Sequence, residues 1–117
     1  MHKFADHDRN RDDRSAELFI SGAIYLEHEN DIAVEVRRGM AILTSEGQEA
    51  GRVAAVIMEK DAQQVTRILL SRLSQMPEYR LVPIALIEQV HEEKVLLCIA
   101  NQVVNTLPTW KGSRPWS

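Results

Sequence analysis

The stretch from Gly39 to Leu70, GMAILTSEGQEAGRVAAVIMEKDAQQVTRILL, constrains the fold more than any other part of the chain. It reads as three strands joined by two turns. Met40 to Thr44 is apolar and β-prone, and Ser45-Glu46-Gly47-Gln48 supplies a reversal in which Gly47 takes the positive φ that a tight turn needs. Gly51 follows where a strand entering a sharply twisted sheet often has no side chain. The long run Arg52 to Glu59 is broken by Lys60 to Gln63 and answered by Val65 to Leu70, a second hairpin directly after the first.

The flanking segments are read around that unit. Residues 1–16 are dense in charge, with Asp6, Asp8, Asp12 and Asp13 balancing Lys3, Arg9, Arg11 and Arg14, and they hold too little apolar surface to offset the entropy of ordering; a disordered tail is expected. Residues 17–37 alternate in places and read as a hairpin: Leu18, Ile20, Ile24 and Leu26, a turn-like His28 to Asp31, then Ile32, Val34 and Val36. An added edge strand of this kind either extends the sheet or invites a neighbouring chain. Past the central stretch, Ser71 to Glu78 is a polar connection, and Tyr79 to Val82 resumes strand character until Pro83 stops it. Ile84 to Val90 fits one helical turn or a short strand, His91-Glu92-Glu93 is a turn, and Lys94 to Ile99 reads as the last strand. Asn101 to Leu107 reads as a short helix, with Asn101 a candidate cap and Pro108 the stop.

The spacing of Gly39-Met40, Ser45-Glu46-Gly47, Gly51-Arg52-Val53, Val65-Thr66-Arg67, Val82-Pro83-Ile84 and Lys94-Val95-Leu96-Leu97 resembles the PRC-barrel family. This is the small β-barrel of the photosynthetic reaction-centre H subunit, of ribosome-maturation factors and of many short stand-alone bacterial and archaeal proteins. The resemblance covers roughly residues 38–108, leaving the 17–37 hairpin as an N-terminal extension and 109–117 as a C-terminal tail. It implies a mainly β fold: a small, partly open barrel of about six strands with a short C-terminal helix. In function it implies a non-enzymatic adaptor that docks on a partner protein or complex, with an RNA- or ribosome-associated assembly factor as the alternative. A small ligand- or metal-binding sensor is the rival from another class.

Composition agrees with one modest domain. At 117 residues the chain suits a single core, and a domain of this size buries about two thirds of its unfolded surface. A formal net charge of -3 gives no global basic footprint for nucleic acid or anionic lipid. The single cysteine, Cys98, lies in the apolar run Val95 to Ile99, which suggests a buried, inert thiol and a reducing compartment. No apolar stretch approaches the roughly 20 residues of a membrane span, and no secretory leader is legible, so a cytoplasmic location is expected.

The residues that could carry chemistry do not converge in sequence. His2, His7, His28 and His91 fall in tail or turn, and no spacing typical of a metal site is present. The carboxylates of Glu46, Glu92 and Glu93 fall in hairpin turns. The glycines are spaced for strand turns rather than for a phosphate-cradling helix start. No catalytic, cofactor or metal residue is therefore expected, and Gly39, Gly47, Gly51 and Pro83 are read as structural turn positions.

Two features point to partners. Arg37, Arg38, Arg52, Arg67, Arg72 and Arg80 could gather on one rim and meet RNA or an acidic protein. Two of the six aromatic residues, Trp110 and Trp116, fall within the last eight positions, and exposed tryptophan is a typical interface anchor. Trp110 is expected to fold back over an open end of its own barrel, whereas Trp116 stays open between the two roles. Self-association is expected from the long strand. Val53, Ala55 and Ile57 lie on one side of it and Ala54, Val56 and Met58 on the other. Assigning Val53 and Ile57 to the interior leaves Val56 and Met58 outside, each worth about 1.5–3 kcal/mol if fully covered. A homodimer or larger oligomer with Val56 and Met58 at the contact follows.

Overall fold

The computed structural model describes residues 16–26, 33–59, 64–72 and 78–110. Nine strands lie among them. The first three are β1 (Ala16–Phe19), β2 (Ser21–Tyr25) and β3 (Ala33–Arg37), followed by β4 (Ala41–Leu43), β5 (Glu49–Glu59) and β6 (Gln64–Arg72). After β7 (Glu78–Pro83) comes a 3₁₀ turn, Ile84–Leu86, then β8 (Ile87–His91), β9 (Lys94–Leu97) and one short helix, α1 (Asn101–Val104). Six strands curl into a half-barrel in the order β7-β6-β5-β4-β9-β8. Every pair in that wall is antiparallel except β4 with β9.

The turn residues behave as their chemistry dictates. Gly47 sits at φ 83° and Gly39 at φ 97°. The first reversal is also held by Thr44, whose buried Oγ1 accepts from the backbone N–H of Glu46 at 3.2 Å and of Gln48 at 3.3 Å. Gly51 is a matter of space, since a Cβ there would stand 2.3 Å from the Ser71 carbonyl oxygen on β6. Pro83 closes β7 and leads into the 3₁₀ turn, so the ambiguous segment 84–90 divides into one turn of helix and then β8.

The long strand departs from simple alternation, and this corrects the assignment of its faces. The β5–β6 register steps from Val53↔Leu70 to Ala55↔Leu69, leaving Ala54 as an extra residue on β5. A bulge of this kind shifts side-chain parity by one. Val53 and Val56 consequently share the inner face with Ile68, Leu70 and Val82, while Ile57 points outward with Ala55 and Leu69. Val56 is 0% exposed, so it is a core residue and offers no surface to a second copy. Met58 is half-buried against the same core. A second step leaves Thr66 as the extra residue on β6, and its buried Oγ1 has no hydrogen-bond partner among the described residues.

The N-terminal hairpin is built into the domain. β1 pairs with the far half of β5, Phe19 opposite Val56, on the edge whose other half takes β4. β2 and β3 form a separate two-stranded sheet laid over the inner face, and Ile24, Leu26 and Val36 enter the same core as the barrel strands. Gly22 marks the crossing, where a Cβ would come within 2.8 Å of Val65 Cγ2 and 3.0 Å of Val56 Cγ2. At the C-terminus α1 drops Val104 into that core. Asn101 is not its cap; Ala100 holds that position, and Asn101 Oδ1 accepts from Arg72 Nη2 at 2.8 Å. Of the expected tail 1–16, Ala16 opens β1 and the rest lies outside the described residues, as do 27–32, 60–63, 73–77 and 111–117.

Candidate functional site

A curled six-stranded wall has two outer strands, β7 and β8, and their surroundings differ. Beyond β7, residues 108–110 run antiparallel to it. Leu81 N–H donates to the Pro108 carbonyl at 2.8 Å, and Trp110 N–H donates to the Tyr79 carbonyl at 2.9 Å. Arg80 Nη1 donates to the Leu107 carbonyl at 2.6 Å, and its Nε reaches Glu78 at 2.9 Å. Trp110 lies half-buried against the outer cluster of Ala54, Ala55, Ile57 and Leu69, beside Leu18, Tyr79 and Leu81. It thus folds back on its own barrel as expected, but it covers the outer face of the wall and not an open end. The helix α1 sends Val104 into the core, and Arg72 fastens it through Asn101 and Asn105.

Beyond β8 no strand pairs among the described residues. At its start lies a groove of about 460 Å³ lined by Tyr25, Leu26, Ile84, Ala85, Ile87, Glu88 and Cys98. The hairpin supplies Tyr25, which is 54% exposed, and the 3₁₀ turn supplies Ile84 and Ala85. Cys98 corrects the sequence reading. β9 ends at Leu97, so Cys98 falls just past the strand and its side chain is exposed in the groove wall. Its backbone N–H donates to the Leu86 carbonyl at 3.0 Å, which ties the end of β9 to the 3₁₀ turn.

A second concavity of about 530 Å³ lies where the turn after β3 meets the turn between β8 and β9. Arg37, Arg38, Arg52 and Lys94 enter it together with Glu49, Glu92 and Glu93. Arg37 pairs with Glu93 and with Glu35, and Arg52 donates to the Gly39 carbonyl at 3.0 Å while standing 3.8 Å from Glu49. The arginines do not form one basic rim. Arg37, Arg38 and Arg52 share this mixed-charge cleft, Arg72 and Arg80 hold the C-terminal segment, and Arg67 lies half-buried on β6 opposite Pro83. Exposed pairs of this kind are worth less than about 1 kcal/mol each. The two-residue loop Glu92-Glu93 has φ 50° and 65°, the doubly positive pattern that hairpins normally give to Asn-Gly.

His91 is exposed at the end of β8 and lies 3.3 Å from Glu92. His2, His7, His28 and Trp116 lie outside the described residues. Among the described residues no three His, Cys, Asp or Glu side chains stand close enough to hold a metal ion, and no helix is long and apolar enough to cross a membrane. No family model matches the chain, and no curated protein matches it either.

Sequence reasoning returned Trp110 to the barrel but missed its pairing along β7, and it missed the groove. Thr109-Trp110 is too short for a strand pattern. The groove draws residues from 25–26, 84–88 and 98, which nothing in their local spacing connects.

Proposed function

We propose that the chain is a non-enzymatic adaptor, as its resemblance to PRC-barrel proteins implies, and that it takes an extended segment of a partner protein along β8. The observation that carries this reading is an outer strand that pairs with no further strand among the described residues and has an apolar groove at its start. Strand addition draws affinity from main-chain hydrogen bonds and selectivity from a pocket that receives one side chain. β8 offers the first, and Tyr25, Leu26, Ile84, Ala85 and Ile87 offer the second. The opposite edge supplies a precedent within the same molecule, since residues 108–110 lie on β7 in this way with Trp110 as the anchoring side chain. The pocket chemistry favours an aliphatic or aromatic anchor.

The test is selection of binders from a displayed random-peptide library on the immobilised chain. Apolar-anchored sequences should emerge, they should slow alkylation of Cys98, and Ala85→Glu should abolish their binding. Selected peptides indifferent to Ala85→Glu, or a selection that yields none, would refute the reading.

A further inference from the structure

The segment on β7 is this chain's own, but its seat has the construction of a peptide-binding site. Two main-chain hydrogen bonds, at 2.8 and 2.9 Å, hold Pro108 and Trp110 in strand register. Arg80 fixes the Leu107 carbonyl, and an apolar bed of Ala54, Ala55, Ile57 and Leu69 receives the indole. The bed belongs to the barrel wall, whereas the occupant arrives on a separate arm, residues 101–110. That arm is joined to the wall through Ala100, an extended residue at φ -81° and ψ 166° that belongs to neither β9 nor α1. Just before the joint, Ile99 is still fastened to the barrel, its carbonyl accepting from the Ser45 N–H at 2.8 Å. The arm's other attachments, Val104 in the core and Asn101 with Asn105 on Arg72, are likewise contacts with the wall.

We propose that residues 101–110 are an exchangeable arm, and that β7 with its apolar bed is a binding site for the same Leu-Pro-Thr-Trp segment of a second copy. Apart from bonds within the arm and those of the Val103 and Val104 N–H groups to the Ala100 carbonyl, the contacts described above join the arm to parts of the chain on the far side of Ala100. A reciprocal exchange between two copies therefore reproduces them all without creating a new surface, and only the joint changes conformation. Exchange of an identical element is a low-cost route to a dimer. It also gives self-association a physical basis that does not need Val56, which is buried in the wall.

The register supplies the test. Arg80 and Thr109 are direct partners, and the hydrogen bonds at Leu81 and Trp110 flank them, which makes them a non-hydrogen-bonded antiparallel pair. Such pairs have Cα atoms about 4.5 Å apart, within the span of a disulfide. In full-length chain carrying Cys98→Ser, the double substitution Arg80→Cys with Thr109→Cys closes within one chain at low concentration. Chains carrying one substitution each are then mixed and concentrated to about 1 mM, the effective concentration that a short tether supplies, before mild oxidation. Exchange gives the mixed disulfide dimer in at least about tenfold excess over either like-with-like dimer, because only that pair is placed in register. A statistical mixture of the three dimers, the absence of dimer, or failure of the double variant to close overturns the proposal. The unsubstituted chain gives an independent reading by sedimentation. A dimer formed on concentration that persists for hours after dilution supports exchange, and a monomer throughout, or a dimer lost within the mixing time, overturns it.

Discussion

β7 and β8 end the same sheet and are of similar length, six residues and five, yet among the described residues a further segment pairs with β7 and none with β8. Both strands present main-chain hydrogen-bonding groups along an outer edge, so these groups alone do not make the difference. It comes from what stands beside each. Next to β7 lies an apolar outer cluster that must be shielded, and the arm that shields it brings edge pairing with it. Next to β8 the apolar surface is a concave groove that stays accessible, and a register step between Ile87 and Gln89 leaves Glu88 as an extra residue. A bulge and a charge on an edge both discourage indiscriminate pairing. The bare edge is thus guarded by local shape, and the covered edge by another part of the chain.

The wall between the edges sets the scale of the largest effect. Val56→Glu places a carboxylate in the core without a partner, and it should cost on the order of 5 kcal/mol, enough to unfold a domain of this size. Loss of the cooperative melting transition checks it, and a folded, monomeric variant would restore Val56 to the surface. Trp110→Ala tests the covered edge alone. Removal of a half-buried indole should cost about 2 kcal/mol and lower Tm by roughly 10 °C. It should also release the Leu81 amide to rapid hydrogen exchange, and an amide that stays protected would mean that the backbone pairing is independent of the tryptophan.

The bare side is expected to respond with smaller changes and, at one place, with the opposite sign. Glu92→Asn with Glu93→Gly relieves two left-handed non-glycine residues and should stabilise the β8–β9 hairpin by about 1–2 kcal/mol. It also removes the Arg37–Glu93 pair, so a net loss in Tm would show that the pair outweighs the backbone relief. Smallest of all, Tyr25→Ala should leave stability within about 0.5 kcal/mol, as exposed residues usually do. A drop comparable to that of Trp110→Ala would make the groove part of the core and erase the contrast between the two edges.

What the sequence made legible is what local chemistry decides. Gly47 had to turn, Gly51 marked a place for no side chain and Pro83 had to end β7, while the partly open barrel was what the resemblance implied, and the structure has a curled half-barrel of six strands with a short C-terminal helix. The faces of β5 were misread because period-two reasoning assumes an unbroken ladder, and nothing in Arg52 to Glu59 marks Ala54 as the residue that breaks it. Cys98 was misplaced for a related reason, since the apolar run continues to Ile99 while the strand stops at Leu97. The groove escaped altogether, and of the arm the short helix and the return of Trp110 were legible but not its pairing with β7. Their residues meet only through the curl of the sheet, and no periodicity along the chain encodes that meeting.

The one parallel seam among the described strands, β4 beside β9, governs the order in which the half-barrel can be assembled. Ala41 faces Lys94, roughly fifty residues further along the chain, whereas β5, β6 and β7 each find a neighbour through a hairpin or a short connection. Local pairings form early, and distant ones must first overcome the entropy of closing a long loop. On a ribosome the N-terminal strands would emerge with one side of β4 still waiting for β9. The chain therefore spends its synthesis as a four-stranded ribbon and completes its half-barrel only when its last strand arrives.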